Sequence, residues 1–242
     1  MALTPTATFI ASAGSTTAAI TTTSFTPAFG DIIVIKATAA DSAASHRLGV
    51  PSTTGLGMTF TKQLENFPGN HTYEVLYTAV ASAGGVSSTV SIAGSTGAVY
   101  HNMVVEQWPG STCKLAASPA LMSSASSASS APTGVITTAA NGSAVTWLSG
   151  DWAAVDGTTR TYNSVSATPT EDLYIFQTLE YTTYAAYQQA ATAGVQTLGV
   201  TLPVGQAWNM LAVEIQAVSV AAAPLPKPLV IPGVAVIRSS TR

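Results

Sequence analysis

The apolar residues of this chain come in bursts of about five to ten, rich in Val, Ile, Thr and aromatics, separated by clusters of Gly, Pro, Ser and Asn. No window of helical length repeats the i, i+3, i+4, i+7 spacing that lets a helix bury one face. The pattern therefore predicts an all-β chain. Strands are expected near residues 6–11, 17–23, 31–38, 58–65, 72–82, 86–93, 98–108, 134–138, 144–150, 172–179, 183–191, 195–202 and 207–218. Charged residues make up 8% of the chain, against roughly 25% in an average soluble domain. Such a surface must be neutral and hydroxyl-rich, and with 47% hydrophobic residues the chain has enough apolar matter for a core.

The stretch SPALMSSASSASSAPTG, residues 118–134, shows no burial pattern and reads as a Ser/Ala-rich linker. The halves on either side of it, about 1–117 and 135–220, resemble each other. YTAVASAG at 77–84 is echoed by YQQAATAG at 187–194, and YHNMVVEQ at 100–107 by WNMLAVEI at 208–215. These echoes pair Tyr77 with Tyr187, Val105 with Val213 and Glu106 with Glu214. A weaker one pairs DIIVIKA at 31–37 with SAVTWLS at 143–149. An internal duplication related by a pseudo-twofold is expected.

A dozen antiparallel strands can form one jelly-roll-like sandwich or two small sandwiches in tandem. The closing strands VYHNMVVEQW and AWNMLAVEIQAV are apolar on both alternating faces, as a strand covered on both sides must be. We read this as a single antiparallel two-sheet β-sandwich over residues 1–220, followed by an extended Pro-rich tail at 221–242.

Gly-Asp before a β-branched run (GDIIVIKATAADS), then YTAVASAG, then VVEQWPG, resembles the jelly-roll-like sandwich domains of bacteriophage virion proteins, minor tail and decoration components of the actinobacterial-phage type. The resemblance spans residues 25–218. It implies a structural virion protein acting through contacts with other virion subunits, as a homo-oligomer or multi-copy assembly. It implies no catalytic residues and no cofactor.

The residues themselves agree that chemistry is sparse. Facing carboxylates of the kind glycoside hydrolysis needs are hard to find, and Glu106 and Glu214 read as matching positions at sheet edges, solvated or hydrogen-bonded. His46, His71 and His101 lack metal-ligand spacing, and Cys113 is the only cysteine, so no metal site is expected. Eight scattered basic residues and a net charge of −3 offer no track for nucleic acid. No apolar run approaches the roughly 18 residues of a membrane helix, and the N-terminus lacks a signal-peptide pattern; together with the virion place that the resemblance implies, this leads to the expectation of assembly in the host cytoplasm.

One loop stands apart. SGDWAAVDGTTRTYN at 149–163 gathers Asp151, Trp152, Arg160 and Tyr162 without strand alternation. Aromatics beside charged groups on a β-sandwich are suited to stacking on a sugar ring, so a host-surface glycan is the alternative partner, and a plug at the end of the sandwich is the plainer use of Trp152. The tail is the other outlier. Four prolines, Pro224, Pro226, Pro228 and Pro232, precede or interrupt Leu229, Val230, Ile231, Val234, Val236 and Ile237, an extended apolar segment suited to an interface with a neighbouring subunit's sheet edge.

Overall fold

The computed structural model describes residues 2–14, 18–40, 47–55, 57–67, 72–94, 100–163, 168–177 and 181–218. The expected interface residues Leu229, Val230, Ile231, Val234, Val236 and Ile237 lie outside them. Among the described residues there is no helix, and every pairing is antiparallel. Sixteen strands follow in order: β1 (Ala7–Gly14), β2 (Ile20–Thr21), β3 (Ile32–Ala40), β4 (Ser52–Thr54), β5 (Thr61–Asn66), β6 (Thr72–Val80), β7 (Thr89–Ile92), β8 (Tyr100–Trp108), β9 (Cys113–Ser130), β10 (Thr133–Thr138), β11 (Ser143–Asp151), β12 (Thr161–Tyr162), β13 (Thr170–Gln177), β14 (Tyr181–Ala190), β15 (Gly194–Leu202) and β16 (Gln206–Ala217).

The expected jelly-roll-like antiparallel architecture is present, and so is the duplication, strand for strand. The first eight strands form sheets ordered β1-β8-β3-β6-β5 and β2-β7-β4, and the last eight form β9-β16-β11-β14-β13 and β10-β15-β12. Adding eight to each strand number of the first half reproduces the second. The sheets therefore number four where one pair was expected. Each half encloses its own core: Ile33, Ile35, Val75, Tyr77, Met103 and Val105 in the first, Val145, Trp147, Tyr184, Ala186, Met210 and Ala212 in the second.

The two five-stranded sheets pack back to back, which explains the doubly apolar closing strands. Val104 and Trp108 of β8 and Leu211, Val213 and Ile215 of β16 leave their own sandwich and fill the junction between the two. The observation that both faces are covered was correct. Its cause is a second sandwich, not a central place within one.

The sheets face each other in reversed order. Thr8 of β1 donates to Asp172 of β13 at 3.3 Å, Asn102 of β8 to the Tyr181 hydroxyl of β14 at 2.5 Å, Asn209 of β16 to the Thr72 carbonyl of β6 at 2.9 Å, and Asn66 of β5 to the Ser123 carbonyl of β9 at 3.3 Å. That order is the one a twofold axis along the strands, between β3 and β11, would produce.

The sequence echoes find the right strands but sit one residue out of step with the faces. Ile35 pairs with Tyr77 and Val105, as Thr146 pairs with Tyr187 and Val213. Yet Tyr77 and Val105 point into the first core, while Tyr187 and Val213 point into the junction. A one-residue slip sends every side chain of a strand to the other face. The weaker echo keeps the faces, since Ile33 and Ile35 match Val145 and Trp147 inside their cores.

The expected Ser/Ala linker at 118–134 is instead most of β9, an 18-residue edge strand paired with β16, followed by the start of β10. Register shifts at Gln206/Trp208 and Val213/Ile215 absorb its surplus residues. Small Ser and Ala side chains on an edge strand carry little burial signal, so periodicity could not reveal it. The passage between halves is the turn Pro109–Thr112, braced by Asp31, whose carboxylate accepts from Gly110 N at 3.0 Å, Ala28 N at 2.9 Å and Gln107 Nε2 at 2.6 Å. Short strands β4 and β12 were not expected.

Candidate functional site

The junction holds the densest buried chemistry. A lysine in the middle of the apolar strand IIVIKATAA cannot remain unpaired once both faces are covered. Lys36 Nζ lies 2.7 Å from Glu106 Oε1 and 2.7 Å from Asp172 Oδ2, with side-chain exposures of 0%, 0% and 3%. Thr146 Oγ1 at 2.8 Å and Trp108 Nε1 at 2.9 Å also donate to Glu106. Burial pushes Glu106 up to about 7, against the opposing pull of Lys36. For Lys36, burial favours the neutral amine, but Asp172 and Glu106 together outweigh it and hold the ammonium above its ordinary value.

A second buried carboxylate shares the junction. Glu74 on β6 has no exposure, and neither of its carboxylate oxygens has a hydrogen-bond partner. Burial raises its pKa well above the ordinary carboxylate value, only partly opposed by the Gly150 backbone. Thr72 Oγ1 and Asn209 Oδ1, on the same face, are also unpartnered.

Glu106 and Glu214, expected at solvated or hydrogen-bonded edge positions, are hydrogen-bonded but fully buried in central strands. They are also parted by the face slip. Glu214 turns into the second sandwich and accepts from Ala139 N at 3.0 Å, Ala140 N at 3.2 Å and Ser143 Oγ at 2.5 Å. No open groove brings two carboxylates together across it in either place.

Of the four loop residues, the structure brings two together. Arg160 Nε donates to Glu171 Oε2 at 2.6 Å and its Nη1 to the Gly157 carbonyl at 2.9 Å, while the Tyr162 hydroxyl also bonds Glu171. The Arg160 guanidinium lies 4.1 Å above the Tyr174 ring, and the Tyr174 hydroxyl bonds Asp156 at 3.0 Å. Asp151 is not part of this cluster. It ends β11 buried, where it accepts from Ala153 N at 2.8 Å, Val155 N at 3.0 Å and Ala207 N at 2.9 Å. Trp152 is half-buried, tied by its backbone N to the Ala207 carbonyl at 3.0 Å. Arg160 thus lies on the Tyr174 ring, and the charges of Asp151, Asp156 and Arg160 are paired within the chain.

Lys36, Glu74 and Asp172 escaped sequence analysis as a set. The available signal was a single charge inside each doubly apolar strand, IIVIKATAA and YEVLYTAV, which together with Glu106 implies opposite charges meeting between covered faces. His46 and His71 lie outside the described residues, and His101 is buried with Nε2 3.1 Å from the Ala18 carbonyl. Among the described residues no His, Cys, Asp and Glu cluster could hold a metal ion, and no helix is long and apolar enough to cross a membrane.

An open cleft of about 440 Å³ lies at the end of the junction, lined by Ile32, Thr61, Gln63, Thr78, Val80 and Leu115. Its walls carry hydroxyls, an amide and aliphatic groups. Comparison with protein families, with curated proteins and with solved structures gives no match for this chain.

Proposed function

We propose that this chain is a structural component of a bacteriophage particle, a minor tail or decoration protein that works through contacts between subunits and catalyses no reaction. The observation that carries this reading is the use of its charged groups. Asp31, Lys36, Glu106, Asp151, Asp172 and Glu214 are all spent on internal braces. What remains outside is a hydroxyl-rich surface with scattered exposed aliphatics and Phe29 at 76% exposure. Jelly rolls serve as building blocks of viral shells, and a pair locked back to back is a rigid one. The test is to raise an antibody to the purified chain and probe density-purified particles of a phage whose genome encodes it. Label on the particles supports the reading, and label confined to the unassembled protein fraction refutes it.

The alternative is a module that binds a host-surface glycan. Lectins also use jelly rolls, and Trp152 is only half-buried at the end of β11. Binding of the purified chain to host cell walls or a glycan array supports this second reading. Loss of that binding in Trp152→Ala would place it at the loop.

A further inference from the structure

The back-to-back sheets leave four outer edges, and the edges are of two kinds. β5 carries Lys62 and Glu65, and β13, its counterpart by the strand duplication, carries the partly exposed Glu171. Charge on an edge strand discourages other chains from pairing with it. β1 and β9, also counterparts, are nearly free of charge: β1 has no charged residue, and β9 has only Lys114, after which none occurs until Asp151, while its one proline, Pro119, lies ahead of the run from Met122 to Ser130. β9 is the longer, at 18 residues against a usual strand of about five or six. It is the terminal strand of its sheet, and two residues to either side of the exposed Met122 stand the small Ala120 and Ser124. None of the described strands pairs with its outer edge.

The chain beyond β16 leaves beside this edge. Val218 N donates to the Thr112 carbonyl at 2.8 Å, and Ala217 pairs with Cys113, the first residue of β9. Residues 219–242 follow, with Val234–Ile237 placed after the last proline and no charge between Lys227 and Arg238. To pair with the outer edge of its own β9, this segment would have to cross the end of β9 and reverse direction within residues 219–228, where Pro224, Pro226 and Pro228 favour extended backbone. At about 3.3 Å per residue, the ten residues 219–228 ahead of Leu229 can instead span up to about 33 Å, enough to reach another molecule.

We propose that the outer edge of β9 accepts an added strand, and that the strand is the C-terminal segment Leu229–Ile237 of a second copy of this chain. The proposal rests on the assembly reading above and names the surface through which it works. Backbone groups of β9 supply the hydrogen bonds, and the small side chains of Ser124 and Ala128 let the incoming Val and Ile side chains lie flat against the strand.

The experiment uses full-length chains. One preparation carries Ser124→Cys or Ala128→Cys on β9, another Val234→Cys or Val236→Cys, and a third Ser12→Cys on β1. Pairs are mixed, mildly oxidised and analysed by mass for a disulfide between the engineered positions, with sedimentation velocity run in parallel. A link between β9 and the tail of different molecules is the expected result. So is loss of self-association in Ser124→Lys, which gives β9 an edge charge such as Lys62 of β5. A link to β1 instead, or association that persists with no link to β9, overturns the edge assignment while leaving assembly standing. A dilution-independent link within one chain carrying both substitutions overturns the second-copy occupant. A full-length chain that stays monomeric at every concentration defeats this proposal by removing the assembly it rests on.

Discussion

The Lys36 ammonium and the Asp172 carboxylate, 136 residues apart in the chain and in different sandwiches, meet at 2.7 Å with no exposure to speak of. Their pairing, shared with Glu106, makes the junction a single electrostatic unit. Removing one partner of a buried pair leaves the other uncompensated, at a typical cost of about 3–5 kcal/mol. Lys36→Met should therefore lower stability to urea by about that amount, and the triple change Lys36→Met, Glu106→Gln, Asp172→Asn should recover most of it. Equal losses in the single and the triple variant would show that the charges do not act together.

Acidity should tighten the molecule. Burial holds Glu106 near 7 and Glu74 well above its ordinary 4.5 in the folded chain, while both revert to about 4.5 on unfolding. Between those values the folded state binds more protons than the unfolded one. The stability they contribute is thus greatest below the unfolded value and is lost as pH rises through the folded one. The melting midpoint should fall from about pH 5 to about pH 8, and Glu74→Gln should flatten the fall and raise the midpoint at the upper end. A midpoint that climbs across this range contradicts the assignment.

The turn between the sandwiches should tolerate no side chain at Gly110. A Cβ there would lie 1.9 Å from the Gly30 carbonyl oxygen, a backbone atom that cannot swing aside. Gly110→Ala should cost about 1–3 kcal/mol in denaturant unfolding. Gly57→Ala is the matching control, because nothing lies within 4 Å of its Cβ position.

Neither half should prosper alone. Ile32, Val34, Leu76 and Trp108 of the first sandwich are covered by Leu211, Val213 and Ile215 of the second. A chain ending in the Pro109–Thr112 turn should aggregate, and co-expression of the two halves should return a soluble complex, checked by gel filtration. A soluble, monomeric first half would show that the junction contributes little.

Purified protein should release no sugar from cell-wall polysaccharides, with or without added divalent metal. An activity lost on Glu106→Gln or Glu214→Gln, with the fold retained, would overturn the non-catalytic reading.

Much of the fold was legible in the sequence because strand-length bursts of Val, Ile and aromatics survive any tertiary context. The matching order of strands showed in the Tyr-led and Val-Glu echoes. What those echoes could not reveal was facing. Glu106 and Glu214 align by letter, yet one ties the sandwiches together and the other braces a turn inside the second, because the letters carry no record of a one-residue slip. β9 stayed hidden for a different reason, since Ser and Ala bury so little that an edge strand made of them alternates invisibly. The loop was legible as a cluster, but only geometry shows that Arg160 turns onto Tyr174 and Glu171, which lie beyond the loop itself.

Leu3 packs into the apolar end of the junction with its backbone N bonded to Gln189 at 2.9 Å, and Val218 leaves β16 near that same end, where Cys113 and Ile215 share the cluster with Leu3. At the far end of the first sandwich Ala40, Thr72 and Tyr100 stand abreast at the ends of β3, β6 and β8. The body consequently has a root and a tip. If load enters through a tail held by a neighbour, it passes first into the apolar end of the junction that both sandwiches share. The strand ends at Ala40, Thr72 and Tyr100 lie away from that path, so changes there should not weaken the grip.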